Sequence, residues 1–363
     1  MNTLNPNRLL ILDAISGVPL GREIAAACGA HGVDVVYQDC AELPTIPAYG
    51  LCSAIAKALN KREHADSFFF LAKLAERTVR ALLTIHRPSR VLVIGFIYKH
   101  IDPALLIKLK QEFGFSLYLY DTDSCNLYER KLEFIFFIEK ELPIYDKILS
   151  FSSVTMRLFR ETLGLPAYYF PFGAQPINLP AASNKSHDVL FVGSGDLRRA
   201  LLLERIRDHV SIFGDRWSRN APLMSAPLRK RVQDRSVWGR ELHQLFADAK
   251  IVLNITRSPF YGAETGINLR IFEALVAGVF LLTDHCDEIG ELFTPGVELD
   301  TFRSSSELVE KVSWYLDNPA ARAEIAQRGH QRFIAEFSWG KRCAELLRIL
   351  GYDSRPRGGL SHA

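Results

Sequence analysis

The sequence predicts an α/β protein of two doubly wound, Rossmann-like domains that face each other across a cleft. Apolar strand-like segments alternate with helical segments along the whole chain. The strand segments are apolar on both faces, which is typical of parallel sheets covered by helices on both sides. The alternation stops at the polar segment Gly173–Ser186 and then starts again. A length of 363 residues suits two domains of roughly 150 residues each.

The N-terminal half is predicted to hold six strands and four helices. Short runs rich in β-branched residues indicate strands, and apolar residues at helical spacing indicate helices. Pro88 is expected to end the longest helix, because the residue before a proline disfavours helical geometry. The predicted strands are Arg8–Asp13, Val33–Tyr37, Arg90–Gly95, Phe115–Tyr120, Tyr145–Phe151 and Tyr168–Pro171, and the helices are Gly21–Ala30, Ser67–Arg87, Pro103–Phe113 and Ser153–Leu163.

The C-terminal half repeats the same alternation and closes on three helices. We expect domains at residues 1–175 and 176–350, with the last helix crossing back to the first domain and a disordered tail at 351–363. The predicted strands are Asp188–Val192, Val210–Phe213, Lys250–Asn254 and Phe280–Thr283, and the helices are Leu197–Asp208, Arg240–Ala249, Leu269–Ala277, Ser305–Asp317, Ala320–Glu336 and Lys341–Leu350.

Composition excludes some classes of partner. The net charge is only +3, so no broad nucleic-acid-binding surface is expected. The apolar runs are too short to span a bilayer, which leaves contact with a membrane surface open. The first residues do not resemble a signal peptide. The six cysteines follow no zinc-binding spacing, which indicates free thiols in a reducing compartment. We therefore expect a cytoplasmic protein.

The first informative motif is FVGSGDLRRALLLERI at Phe191–Ile206. A strand ends at Gly193, a Gly-Ser-Gly turn through Ser194 follows, and a helix begins near Leu197. Backbone N–H groups at such a turn favour phosphate. Arg198 and Arg199 fall in the first helical turn, where the helix dipole disfavours cations, and this indicates an anion nearby. An ordinary strand-to-helix turn remains the alternative.

The second motif is GINLRIFEALVAGVFLLTD at Gly266–Asp284. Asn268, Arg270 and Glu273 stand at the start of a helix, and the last two share one helix face because they are three residues apart. An arginine there can hold a diphosphate through two hydrogen bonds, and a carboxylate can accept hydrogen bonds from a ribose diol. A surface Arg–Glu pair is the alternative interpretation.

Five ordered segments resemble glycosyltransferases of the CgeB, or spore-maturation, type within the group-1-like set that has the GT-B fold. Three looser matches lie in the N-terminal half: DTDS at Asp121, YDKILSFS at Tyr145 and YYFPFGAQP at Tyr168. The five segments are FVGSGDLR at Phe191, FGDRW at Phe213, ADAKIVLNI at Ala247, NLRIFEALVAGVFLLTD at Asn268 and RGHQRFIAEFSWGKR at Arg328.

This resemblance implies a nucleotide-sugar donor in the C-terminal domain and an acceptor on the N-terminal domain. Glu273 would bind the donor ribose, and Asn268 and Arg270 would bind the diphosphate. Gly193, Ser194 and Arg198 would flank the phosphates. Trp217 and Trp238 would lie near the base, and a tryptophan in the core is the alternative. Eight residues separate Glu264 from Glu273, where many members of the family have seven, so no role is assigned to Glu264. The sugar, the base and the acceptor, whether glycan, lipid-linked molecule or protein, stay open.

The catalytic groups are expected at strand ends of the N-terminal half. Asp121-Thr122-Asp123 forms an Asp-x-Asp string that binds metal in transferases of another fold. The GT-B fold instead implies protein cations and helix dipoles, with no metal or cofactor and with Arg270 stabilising the leaving diphosphate. Asp121 or Asp123 is a candidate general base, and His100 is similarly placed. Loop caps and a satisfied core histidine are the alternatives.

Two other functions fit parts of the sequence. A methyltransferase could use FVGSGD as its cofactor loop, but this leaves the helix at Asn268–Glu273 unexplained. A non-catalytic protein that kept the fold and still binds nucleotide-sugar is the other alternative, because the N-terminal half matches the family more weakly. Release of sugar from a donor would separate the three.

Overall fold

The computed structural model describes residues 4–63, 68–177 and 185–352. It contains two six-stranded sheets in which all strand pairs are parallel, so the predicted fold class is confirmed. The strands are β1 Asn5–Asp13, β2 Asp34–Asp39, β3 Pro88–Ile94, β4 Ser116–Asp121, β5 Lys147–Ser150, β6 Ala167–Tyr169, β7 His187–Val192, β8 Val210–Gly214, β9 Val232–Asp234, β10 Ala249–Asn254, β11 Leu281–Asp284 and β12 Asp300–Phe302.

Helices pack on both faces of each sheet and bury its apolar strands. No described helix combines the length and the apolar character that crossing a membrane requires. The helices are α1 Leu20–Ala30, α2 Tyr49–Glu63, α3 Glu76–His86, α4 Pro103–Phe113, α5 Lys131–Phe136, α6 Ser153–Arg157, α7 Leu197–Glu204, α8 Ala226–Arg229, α9 Gly239–Ala247, α10 Ser258–Gly262, α11 Leu269–Val276, α12 Asp287–Leu292, α13 Ser305–Asp317, α14 Pro319–Glu336 and α15 Trp339–Ile349.

The strand orders place a crevice in each sheet. The N-terminal order is β2-β1-β3-β4-β5-β6, and the C-terminal order is β12-β11-β10-β7-β8-β9. In the second sheet the chain leaves β7 toward β8 and later returns to β10 on the other side. Doubly wound sheets bind ligands at the carboxyl ends of the strands where the order reverses in this way. The topology therefore predicts a ligand site at the carboxyl ends of β7 and β10.

The last helix, α15, packs against α1 of the N-terminal half, so the expected crossing is confirmed. Trp339 donates a hydrogen bond from Nε1 to Glu23 over 2.8 Å. The Sγ atoms of Cys28 and Cys343 lie 3.4 Å apart as free thiols. Arg90 also donates to the carbonyl of Leu350. These contacts tie the two halves together next to the connecting segment, since the N–H of Trp339 donates to the carbonyl of Ala174.

Some predicted boundaries differ from the structure. The helix predicted at Ser67–Arg87 is wrong in its first part, since α3 begins only at Glu76. Residues 68–75 are instead not helical, and Phe68 and Phe70 pack edge-on against Tyr98. Within the predicted connecting segment, residues 178–184 lie outside the described residues. The same is true of residues 353–363 in the predicted tail.

Candidate active site

A cavity of about 210 Å³, called here the C-terminal cavity, opens at the crevice between β7 and β10. Its walls come from the ends of β7, β8 and β10, from the residues before α9 and from the first turn of α11. The lining residues are Val192, Gly193, Ser194, Arg199, Gly214, Asp215, Ser236, Val237, Trp238, Asn254, Asn268, Leu269, Arg270 and Glu273.

The turn after β7 brings Gly193 and Ser194 to this cavity, as the sequence predicts. Gly214, at the end of β8, has a φ of 148°. A Cβ at this position would lie 2.0 Å from the carbonyl oxygen of Gly193. Glycine is therefore required for the two strand ends to meet. This contact fixes the position of Gly193 in the cavity wall.

The first turn of α11 presents the second motif to the same cavity. Asn268 caps the helix, because its Oδ1 accepts a hydrogen bond from the backbone N–H of Arg270 over 3.1 Å. Its side-chain amide also donates to the carbonyl of Gly266 over 3.2 Å. The amide thus holds both sides of the helix start, which is the role of an N-cap residue. Asn268 acts in this structure by fixing the helix N-terminus at the cavity.

Arg270 and Glu273 form an ion pair inside the cavity wall. The Nη1 of Arg270 lies 2.7 Å from Oε2 of Glu273, and their side chains are 12% and 7% exposed. Burial raises the pKa of the Glu273 carboxyl, and the charge of Arg270 opposes that rise. The pair is the one expected from helix spacing, but it is buried and faces a cavity. It is therefore unlike the exposed surface pair that was the alternative interpretation.

Arg198 lies outside the C-terminal cavity, which corrects its assignment to the phosphates. Its guanidinium pairs with Asp284 over 2.6 Å and stacks 3.7 Å from the ring centroid of Tyr261. Arg199 enters the cavity in its place. Arg199 donates to the carbonyls of Ser194 and Ile255, each over 2.8 Å. Burial lowers its pKa to about 10, so it keeps its charge at neutral pH.

The two tryptophans also differ in position. Trp217 is fully buried, lies edge-on to Phe191 and donates from Nε1 to the carbonyl of Gly193 over 3.0 Å. It is a core residue, so its assignment to the base is wrong. Trp238 is 39% exposed and lines the cavity. Its ring centroid lies 5.0 Å from the guanidinium carbon of Arg270, a cation–π distance.

A second cavity, of about 340 Å³, lies between the two sheets and shares residues with the first. We call it the interdomain cleft. Both cavities are lined by Arg199, Trp238, Asn268 and Leu269. The N-terminal half contributes residues that follow β1 and β4, including Ile15, Thr122 and Asp123. A molecule in the C-terminal cavity would therefore lie next to groups of both domains.

Asp123 is the titratable group that the N-terminal half presents to the interdomain cleft. Burial raises the pKa of its carboxyl to about 7, and Arg257 on the opposite wall limits the rise. Asn126 donates a hydrogen bond from its amide to Oδ1 of Asp123. A carboxyl with a pKa near neutrality is suited to taking up a proton and releasing it again. Of the three candidate bases predicted from the sequence, Asp123 is the one that lines the cleft.

Asp121 and His100 do not reach the cleft. Asp121 accepts hydrogen bonds from Ser124, from the backbone of Asp123 and from Ser150, so it is a buried loop cap. His100 is 4% exposed, and burial lowers its pKa to about 4. A neutral, enclosed imidazole outside both cavities cannot reach an acceptor hydroxyl. The predictions of a catalytic role for Asp121 and His100 are therefore corrected.

Arg199 was predicted only as one of two arginines near an anion, and Arg257 was not predicted. Arg257 follows β10 at its carboxyl end, and this position in a parallel sheet was a usable signal. Glu264 is exposed and lies outside both cavities. In the described part of the chain, no three His, Cys, Asp or Glu side chains are grouped closely enough to hold a metal ion.

Part of the chain matches a known protein family. Residues 198–348 match the family model described as glycosyl transferase-like. This range includes α11, with Arg270 and Glu273, and Arg199. A search of curated proteins found no match.

Solved structures show the same fold at low sequence identity. HepE from Anabaena, solved in complex with UDP and glucose, has a TM-score of 0.63 at 15% identity, covering 94% of this chain and 99% of its own. Sucrose-phosphate synthase from Thermosynechococcus elongatus gives 0.62 at 14% identity, covering 94% and 98%. A glycosyltransferase from Rickettsia africae gives 0.62 at 10% identity, covering 95% and 98%.

These structures share the two-sheet GT-B architecture with the present chain. The chain thus has the GT-B fold, and the match over residues 198–348 makes its C-terminal half similar to glycosyl transferase-like domains.

Proposed function

We propose that the protein transfers a sugar from a nucleoside-diphosphate-sugar in the C-terminal cavity to an acceptor hydroxyl in the interdomain cleft. The observation that carries this proposal is the continuity of the two cavities, which share Arg199, Trp238 and Asn268. One cavity offers buried cations and the other a carboxyl of near-neutral pKa. Transfer needs these two functions side by side.

In this proposal the donor diphosphate lies between Arg199, Arg270 and the N-terminus of α11. The two guanidiniums neutralise the charge that grows on the leaving diphosphate, and the helix dipole adds to their effect. Glu273 accepts hydrogen bonds from the ribose diol, and the exposed face of Trp238 stacks on the base. HepE was solved with UDP-glucose, so uracil is the first base to test.

On the acceptor side, Asp123 takes the proton from the attacking hydroxyl as that oxygen bonds to the anomeric carbon of the donor. The bond from that carbon to the diphosphate breaks, and the nucleoside diphosphate leaves with the electron pair. Arg257, on the opposite wall of the cleft, limits the rise in the pKa of Asp123. The finer likeness to CgeB-type enzymes, a cytoplasmic location and the absence of a cofactor belong to the same proposal.

The test is to incubate the purified chain with a panel of nucleotide-sugars and to measure release of nucleoside diphosphate. We expect slow release from one nucleotide-sugar, because water can replace the acceptor. A protein that binds nucleotide-sugars but releases nothing, with or without candidate acceptors, would be the non-catalytic alternative. Absence of binding to every nucleotide-sugar would overturn the proposal.

Metal independence is a separate prediction. Three arginines face the proposed diphosphate and cleft, namely Arg199, Arg257 and Arg270. They supply the positive charge that a divalent cation supplies in other transferases. We expect nucleoside diphosphate release to stay within about twofold of its rate when a chelator is added. Loss of release in chelator, restored by manganese or magnesium, would contradict this prediction.

A further inference from the structure

The carboxylate of Glu288 bridges the two domains at the side of the interdomain cleft. Glu288 lies in the first turn of α12 and is 1% exposed. It accepts hydrogen bonds from residues of both halves of the chain. The donors are Ser152 Oγ, Ser153 N and Val154 N in the N-terminal half and Thr265 Oγ1 and Gly266 N in the C-terminal half.

On the N-terminal side, Oε1 of Glu288 meets the start of α6. The Oγ of Ser152 donates over 2.7 Å, and the backbone N–H of Ser153 donates over 2.5 Å. Ser152 is also the N-cap of α6, because its Oγ accepts from the N–H of Thr155. A carboxylate is favoured at a helix start, where unpaired N–H groups point outward. Phe151, the residue before this cap, lines the interdomain cleft.

On the C-terminal side, Oε2 of Glu288 holds the loop that leads into α11. Thr265 donates from its hydroxyl, and the N–H of Gly266 donates over 3.4 Å. A Cβ on Gly266 would lie 2.6 Å from Sγ of Cys286, so the loop is packed directly against the start of α12. Two residues later, Asn268 caps α11. One carboxylate thus connects the wall of the cleft with the loop that positions Arg270 and Glu273.

We propose that Glu288 is a positioning residue. Its hydrogen bonds to both domains, called here the latch, hold the domains together and align the loop before α11 with the N-terminal wall of the interdomain cleft. This inference rests on the proposed function for its effect on turnover. The latch itself is a contact within the chain and can be tested without any activity. Glu288 touches neither cavity. Its removal should therefore reduce transfer while leaving the nucleotide contacts in place.

The experiment compares Glu288→Gln with Glu291→Gln. Glu291 lies on the same helix and is exposed, so its variant removes the same charge without touching the latch. The Glu288→Gln substitution replaces one accepting oxygen with an N–H₂ group, which cannot accept hydrogen bonds from the donors around it. We expect faster amide hydrogen exchange at Ser153, Val154 and Gly266 in Glu288→Gln only. We also expect turnover of the nucleotide-sugar to fall about tenfold or more, the size of one lost charged hydrogen bond, while the dissociation constant for UDP changes less than about threefold.

Two milder variants keep the test valid if Glu288→Gln folds poorly. Ser152→Ala removes one arm of the latch on the N-terminal side, and Thr265→Val removes one arm on the C-terminal side. Each should speed amide hydrogen exchange on the other side of the latch, because one carboxylate accepts from both sides. Ser152→Ala should affect Gly266, and Thr265→Val should affect Ser153 and Val154. Combining either with Glu288→Gln should add little further loss, since the shared contact is already gone.

The outcomes separate the latch from the proposed function. If the wild-type chain releases no nucleoside diphosphate, the proposed function fails, and the exchange measurements still decide the latch. Exchange and turnover equal in Glu288→Gln and Glu291→Gln would overturn the latch. A loss of UDP affinity as large as the loss of turnover would also overturn it, because Glu288 would then be part of the nucleotide site.

Discussion

Replacing Asp123 with asparagine is expected to lower turnover by about a hundredfold to ten-thousandfold, the range that general base catalysis contributes. Asparagine keeps the size of the side chain and cannot take the proton of an acceptor hydroxyl. The dissociation constant for nucleoside diphosphate should stay close to that of wild type, because Asp123 lines the interdomain cleft and not the C-terminal cavity that holds Arg270 and Glu273. Steady-state rates and calorimetric binding on the same preparation measure both effects.

The pH dependence of turnover gives a second test of Asp123. A base acts in its deprotonated form, so wild-type turnover should rise with pH through about 7, the pKa to which burial raises Asp123. The folded state holds a proton between the ordinary carboxyl pKa and about 7 that the unfolded chain has lost. Stability should therefore fall as pH rises through that window. This pH dependence should be absent in Asp123→Asn.

Asp121→Asn is the matched control for this prediction. Asp121 is buried under hydrogen bonds from Ser124 and Ser150, so its variant should lose stability and leave the midpoint of the pH profile in place. An Asp123→Asn enzyme with turnover within about twofold of wild type, or with the same rising pH profile, would remove Asp123 as the base.

Arg270→Lys is the second substitution with a large expected effect. A lysine is a point charge and cannot reproduce the planar fork that holds a diphosphate by two hydrogen bonds. It would also leave the buried Glu273 carboxylate with a weaker partner. We expect turnover to fall by about ten- to a hundredfold, at about 1.4 kcal/mol per factor of ten. Turnover should fall more than donor affinity, because the charge on the diphosphate grows as the bond breaks.

Arg198→Lys serves as the control for the second prediction. Arg198 neighbours Arg199 in sequence but pairs with Asp284 outside the C-terminal cavity. Its variant should keep wild-type donor affinity and turnover. Kinetic constants for nucleotide-sugar hydrolysis, measured for both variants, separate the two arginines. Equal losses in Arg198→Lys and Arg270→Lys would indicate a general effect of charge and contradict the assignment of Arg270.

The sequence was sufficient to predict the fold because its strands are short, apolar and regularly separated by helices. It was less informative where tertiary contacts decide local structure. Residues 68–75 have apolar residues at helical spacing, yet they are not helical, and Phe68 and Phe70 pack against Tyr98. The short edge strands β9 and β12 were missed, because two of the three residues in each are polar.

Residue roles were harder to predict than the fold, for a different reason. Arg198 and Arg199 are adjacent, and only the direction of each side chain decides which one enters the cavity. Trp217 and Trp238 are likewise distinguished by burial alone. Asp121 and Asp123 share a strand end, but the backbone turns so that Asp121 caps the loop and Asp123 faces the cleft. Sequence spacing contains none of this information.

The most direct test of the central claim is calorimetric titration of UDP into wild type, Glu273→Gln and Glu264→Gln. Glu264 is the matched control, since it is exposed and outside both cavities. We predict one UDP per chain for wild type and Glu264→Gln, and binding about ten- to a hundredfold weaker for Glu273→Gln, from the loss of charge-assisted hydrogen bonds worth about 1.5–3 kcal/mol each. The same affinity in all three proteins would contradict a donor site at α11.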